Sequence, residues 1–321
     1  MVLTSVIIVL YWRSKGLKLL KGLRETEKKH IRIETVPTRT PNPHATSKVY
    51  QCGNVIEVQT VERPCKNLSN FRRYNKDLCI DLRTGEVIEY NHSTKRNENH
   101  HGLYKTFANL RRIINLNFRG GWSEIFLTLT YKTAMTDTVQ LYEDYRKFWK
   151  KLKRFYPALI YVAIAEPQHY GTWHLHVLLR NSDFKHLFIP KEQLTELWPH
   201  GFSHVQRLVN IDNLGAYFTA HLTDISLFER DDCEEPPPKK ILKGARMAHY
   251  PAKFRLYRCS KGIARPVPQS MTYSQAQRLV GSLAPCYEST KVIQQQQDDG
   301  TVQEVNSINY QQYNKIRNNN N

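Results

Sequence analysis

The chain has 321 residues, enough for one substantial core with smaller appended parts, and its 47 Lys and Arg against 29 Asp and Glu give a formal net charge of +18. Such an excess adds self-repulsion and goes beyond the needs of solubility, so it points to a polyanionic partner, either nucleic acid or an anionic membrane surface. The six cysteines (52, 65, 79, 233, 259 and 286) stand far apart without a CxxC pair, which argues against a disulfide framework or a structural zinc site.

In chain order, Val2–Trp12 is apolar but about half the length of a membrane span, with no positive region before it and no small-residue cleavage site after it. Arg13–Lys29 follows with seven basic and two acidic residues. A basic surface anchor is conceivable, but a poorly ordered leader is the preferred reading. The expectation is a soluble, cytoplasmic protein without stable membrane association. Pro37, Pro41 and Pro43 extend this leader and linker to residue 48. Residues 49–120 read as an N-terminal α/β extension. It has β-type runs at Val55–Val58, Leu78–Leu82 and Val87–Tyr90, a turn at Thr84-Gly85 and a periodic helix over Leu103–Leu116.

The densest pattern lies in residues 121–230. Ile125–Thr130 alternates like a strand, and Thr138–Phe155 puts Leu141, Tyr145, Phe148, Trp149, Leu152 and Phe155 on one helical face, ended by Pro157. Leu159–Ala165 and Trp173–Leu179 are further strands, and Ser203–Leu208 is a fourth. Asp212 is placed to cap a helix from Asn213 to about Ile225. Short connections between strands and helices imply an α+β sandwich, a sheet with helices laid on it. Residues 231–288 open with an acidic, Pro-rich loop (Asp231–Pro238) and turn basic. The Gln/Asn-rich tail, 289–321, has little to bury and is expected to be disordered.

The chemistry concentrates in Trp173-His174-Leu175-His176-Val177. Alternation along a strand sends His174 and His176 to one face, where two imidazoles can bind one ion. An HxH pair taken alone is more often two satisfied polar side chains on a half-exposed strand. Glu166 at the end of the preceding strand changes that balance, because an adjacent-strand arrangement brings its carboxylate beside both rings. Two His and one carboxylate leave coordination positions open for a substrate phosphate. Downstream, Leu214, Phe218, Leu222 and Ile225 form the buried stripe of a helix flanked by the i,i+4 pair Tyr217 and His221. A lone Tyr there is usually structural; paired with the upstream strand motif it becomes a candidate nucleophile.

Phe126–Tyr131, Ala165–Gln168 running to His174-Leu175-His176, and Tyr217 resemble, in order and spacing, motifs I, II and III of the HUH class of rolling-circle replication initiators. Gly201-Phe202, Asn213–Leu222 and Ser260–Ile263 add to the similarity, which spans about residues 80–266 and is with replication-associated proteins of bacterial plasmids and phages. The resemblance implies an antiparallel, RRM-like sheet with flanking helices at 121–230, carrying extra N- and C-terminal segments. It implies a nuclease in which Glu166, His174 and His176 hold Mg²⁺ or Mn²⁺ and Tyr217 becomes joined to a 5′ phosphate. Single-stranded or hairpin origin DNA would be the substrate, with host helicase and DNA polymerase as partners. Where related proteins often carry Lys and a second Tyr in motif III, this chain has Ala220 and His221, which favours a single tyrosine and makes His221 a candidate proton acceptor.

DNA contacts are expected from Lys150, Lys153 and Arg154 on the 138–155 helix. The stretch Lys239–Arg265, with nine basic and no acidic residues, adds Lys243, Arg246, Lys253, Arg255, Arg258 and Lys261. No GxxxxGK[ST] occurs, so no built-in helicase is expected. The competing readings are a transposase or relaxase with the same chemistry, a non-catalytic DNA-binding regulator, and a phosphodiesterase that uses water.

Overall fold

The computed structural model describes residues 31–64, 71–82, 84–89, 100–167, 172–183, 185–208, 211, 213–223, 225–226, 241–242, 249–251, 254–297 and 299–317. The chain begins with β1 (Ile31–Val36), β2 (Thr46–Cys52), β3 (Val55–Val61), β4 (Phe71–Arg73), β5 (Leu78–Asp81), β6 (Val87–Glu89) and α1 (His100–Asn117). It continues with β7 (Glu124–Leu129), α2 (Thr138–Phe155), β8 (Leu159–Pro167), β9 (Trp173–Asn181), α3 (Lys191–Leu197), β10 (Ser203–Arg207) and α4 (Leu214–Thr223). After β11 (Ile225–Ser226) and β12 (Ile241–Leu242) come β13 (Tyr257–Cys259), β14 (Gln269–Thr272), α5 (Tyr273–Val280), β15 (Pro285–Gln296) and β16 (Val302–Asn314).

The result is α+β with antiparallel sheets, as the strand and helix periods require. The central sheet has the order β10-β7-β9-β8-β13. Its three middle strands are buried on both faces, which explains their near-continuous apolar runs. Leu175, Val177 and Tyr161 belong to one face, covered by α2, where Tyr145 and Trp149 meet the Tyr161 ring edge-on. Asp137 caps α2, its carboxylate accepting from Val139 N at 2.7 Å. Glu124, Phe126, Thr128, His174, His176 and Glu166 share the other face through the paired registers. There α4 packs through Phe218, whose ring meets Phe126 edge-on at 4.8 Å, and α1 lies beside α4.

A second, six-stranded sheet has the order β1-β15-β16-β3-β2-β14 and joins the two ends of the chain. It corrects the expected domain plan at three points. Residues 31–48 are partly β1 and β2, so only the part of the leader up to residue 30 falls outside the described residues. The tail expected to be disordered forms β15 and most of the hairpin with β16. Beside the buried Val292, Ile293 and Tyr313, many of its buried positions are amides: Gln311 Nε2 donates to Glu288 Oε1 at 2.7 Å, and Asn309 Nδ2 to Thr290 Oγ1 at 3.1 Å. Residues 231–288 are not one extension, since β13 extends the central sheet whereas β14 and α5 belong with the six strands. Likewise α1 is no part of a separate 49–120 unit: Leu103, Phe107, Leu110, Ile113 and Ile114 sit in the central core.

The two sheets are tied at α1. Arg112 is buried against Glu57 of β3, with Nη2 to Oε2 at 2.7 Å, and its guanidinium stacks 3.6 Å over the Tyr50 ring. No helix among the described residues is long and apolar enough to cross a membrane; Val2–Trp12 lies outside them.

Candidate active site

Antiparallel pairing sets Glu166 of β8 directly opposite His174 of β9. Two residues along, His176 occupies the same face, so the three side chains converge. His174 Nε2 lies 2.9 Å from Glu166 Oε2 and 2.9 Å from His176 Nε2, and Glu166 Oε2 also contacts His176 Nε2. All three residues are buried, Glu166 completely. Among the described residues this is the cluster whose donor atoms lie close enough to share a metal ion.

The protonation of His174 suits that role. Burial pulls the His174 pKa down to about 4, so at neutral pH the ring is uncharged and carries a lone pair. Thr128 Oγ1 lies 3.2 Å from His176 Nδ1. With the proton on Nδ1 and donated to this hydroxyl, Nε2 of His176 faces Glu166 as an acceptor. Phe126 stacks on the same ring with centroids 5.1 Å apart and fixes its plane. Two imidazole nitrogens and a carboxylate oxygen, packed this closely in a dry site, repel one another unless a cation stands among them. Two nitrogens and one oxygen with open positions fit a hard or borderline divalent ion.

Helix α4 is seated by a polar clamp. Asn213 caps it, its Oδ1 accepting from Ala216 N at 3.0 Å, so the capping residue is Asn213 in place of the expected Asp212, itself outside the described residues. Asn115 of α1 holds the same turn twice: Nδ2 donates to Asn213 Oδ1 at 3.0 Å, and Oδ1 accepts from Gly215 N at 2.7 Å. Gly215 is needed for the approach, because a Cβ there would stand 2.5 Å from the Arg111 carbonyl oxygen. Phe218 then points into the core and meets Phe126, while its neighbour Tyr217 is 49 % exposed. Tyr217 thus sits at the surface of the helix that covers the metal-type face. His221 continues α4, but its side chain lies outside the described residues, as do those of Leu222 and Ile225.

The expected DNA contacts divide differently from their order in sequence. Lys150 and Arg154 are exposed on α2, which covers the face of the sheet away from Glu166, His174 and His176. Lys153 turns its Nζ to the Leu159 carbonyl at 2.8 Å, closing the turn into β8. Arg255, Arg258 and Lys261 are exposed around β13, with the Arg258 guanidinium 3.7 Å over the Tyr142 ring of α2. Lys243, Arg246 and Lys253 lie outside the described residues. Sequence reasoning missed Thr128 and Asn115. The alternation of β7 already put Thr128 on the face of Phe126; nothing in the sequence singles out Asn115.

Residues 124–225 match the family of replication-associated proteins of the ORF2 and gene 2 protein type. The matched stretch contains Glu166, His174, His176 and Tyr217 and covers less than half of the chain, and it agrees with the resemblance to rolling-circle replication initiators. No curated protein and no solved structure matches the chain.

Proposed function

We propose that this replication-associated chain is a rolling-circle initiator that nicks and rejoins single-stranded origin DNA through Tyr217. One observation carries the reading. Within the family-matched stretch, the donor atoms of Glu166, His174 and His176 converge on the sheet face covered by the helix that exposes Tyr217. Glu166 and the two His would hold Mg²⁺ or Mn²⁺, which when bound supplies charge neutralisation at the scissile phosphate. Tyr217 Oη attacks the phosphorus and gives its proton to a nearby base, for which His221 is the candidate. The bond from phosphorus to the 3′ oxygen breaks, that oxygen takes up a proton, and the 5′ phosphate stays on Tyr217. One phosphodiester replaces another, so rejoining is the same exchange in reverse and needs no ATP. The freed 3′-OH serves a host polymerase, with a host helicase opening the duplex.

The other tyrosines near the site are poorer nucleophiles. Burial and the neighbouring Asp144 carboxylate hold the Tyr131 phenol well above its ordinary pKa. Tyr161 faces α2 on the other side of the sheet, and burial raises its pKa as well. The test is denaturant-resistant attachment to a labelled single-stranded oligonucleotide containing the origin. Wild type should form the adduct in Mn²⁺, and Tyr217→Phe should lose it while still binding DNA. Adduct formation at the wild-type level by Tyr217→Phe would overturn the assignment.

A further inference from the structure

The central sheet has an edge whose side chains are laid out in register with the site. On β10, His204 pairs with Thr128, which pairs with His176, so all three side chains lie on one face. One repeat towards the open end, Thr130 donates through both N and Oγ1 to the Phe202 carbonyl, at 2.9 and 3.1 Å. Phe202 therefore continues that face beside the row of His174 and Glu166. Within the sheet, Thr128 of β7 and Thr130 just after it stand, half-buried, between this edge and the buried triad. Phe202 is 72 % exposed, an unusual place for a phenyl ring. Its position is held by Gly201, where a Cβ would lie 2.2 Å from the Thr130 carbonyl oxygen.

The far end of the same strand carries a second aromatic station. Trp122 is 60 % exposed and stacks on His186 with centroids 5.5 Å apart. The Arg207 guanidinium lies 5.3 Å from the Trp122 ring and bonds His186 at 2.9 Å. Phe202 and Arg207 are separated by roughly 17 Å of strand at about 3.4 Å per residue. The stretch 200–208 holds His200, His204 and Arg207 and no acidic residue. Arg207 pairs with Ile125 and so leaves β10 on the face opposite Phe202 and His204. Exposed rings stand at both ends of the edge, which suits a single strand because every base offers a π face.

We propose that β10 is the platform on which single-stranded DNA approaches the triad, with bases stacking on Phe202 and His204 and the strand running towards Trp122 and Arg207. The proposal rests on the reading of the site as a DNA nuclease. Its occupant is nucleic acid rather than a second β-strand, because the ring pair is aligned with the metal-type row in a chain of charge +18.

The experiment uses the full chain and a fluorescein-labelled oligothymidylate in EDTA, so that binding is read apart from metal and chemistry. Phe202→Ala and His204→Ala should each weaken binding roughly five- to 150-fold with an unchanged salt slope, because they remove stacking and no phosphate contact. Phe202→Trp should restore binding. Phe202 is exposed, so these variants should melt like wild type. Wild-type affinity in Phe202→Ala overturns the platform. So does a change of oligomeric state in that variant with DNA binding intact, which would assign the edge to a protein partner. Adduct formation by wild type is scored separately. No adduct, together with weakened binding by Phe202→Ala, would reject the nuclease reading and support the platform.

Discussion

Replacing Asn115 by Ala tests whether α1 positions the tyrosine helix. Asn115 is 5 % exposed and makes two bonds across the α1–α4 contact, at 2.7 Å to Gly215 N and 3.0 Å to Asn213. The Gly215 N–H belongs to the first turn of α4, where no carbonyl of the helix itself can take it. Stranding that buried donor costs about 1–3 kcal/mol, and losing the bond to Asn213 about 1 kcal/mol more. Asn213 keeps its own cap through Ala216 N, so α4 should loosen without unravelling. The expected loss is about 2–4 kcal/mol, read as a lower urea midpoint at unchanged slope. Adduct yield should fall further than global stability accounts for, and Asn115→Asp, which keeps the acceptor for Gly215, should recover part of both. A loss below about 1 kcal/mol would refute the reasoning, because water or another contact would then be holding the turn.

Gly215→Ala puts a Cβ against the Arg111 carbonyl and should force α1 and α4 apart, destabilising the protein by about 1–3 kcal/mol despite the better helix propensity of Ala, as thermal melts will show. Burial pushes the Tyr142 pKa up to about 12, so the folded state resists ionisation that the unfolded chain undergoes near 10. Its contribution is intact below pH 10 and lost as pH rises from 10 to 12; Tyr142→Phe should flatten that limb in urea melts across the range, at the expense of the bond to Arg255 O. Mn²⁺ at 100 times its Kd should stabilise wild type by about 2.7 kcal/mol, and His176→Ala should abolish most of that shift in calorimetry. An equal Mn²⁺ shift in the two proteins would remove His176 from the metal site.

The triad was legible in the sequence because two local rules suffice for it. Alternation puts His174 and His176 on one face, and antiparallel pairing of β8 with β9 places Glu166 opposite. The bounds of helix α2 were legible to the residue, and Leu141, Tyr145, Phe148 and Leu152 of its expected stripe are buried, whereas Phe155 is exposed where the helix ends. The six-stranded sheet was not, because its code is non-local. Gln311 and Asn306 are buried polar groups paired with partners from distant parts of the chain, among them Gln277 and Arg63. Read locally, the same amides look like a solvated tail. The basic run on α2 was visible as a run, but which face of the sheet it covers depends on helix packing. Exposure of Phe202 likewise follows from β10 being an edge, a property of strand order that the local sequence does not encode.

Pairing Val61 of β3 with Ile308 of β16 has a consequence for how the chain is made. The central sheet lies within the loop that this pairing closes, and its β8 and β9 pair as neighbours in sequence. Contacts of short separation form early, whereas those between the chain ends pay the full closure entropy first. On the ribosome, the β2–β3 hairpin emerges before the central sheet, and β3 presents an unpaired edge until the last strand is synthesised. A ribosome stalled before Val302 would therefore hold a chain in which β8 and β9 already bring Glu166, His174 and His176 together but whose first hairpin is still seeking a partner.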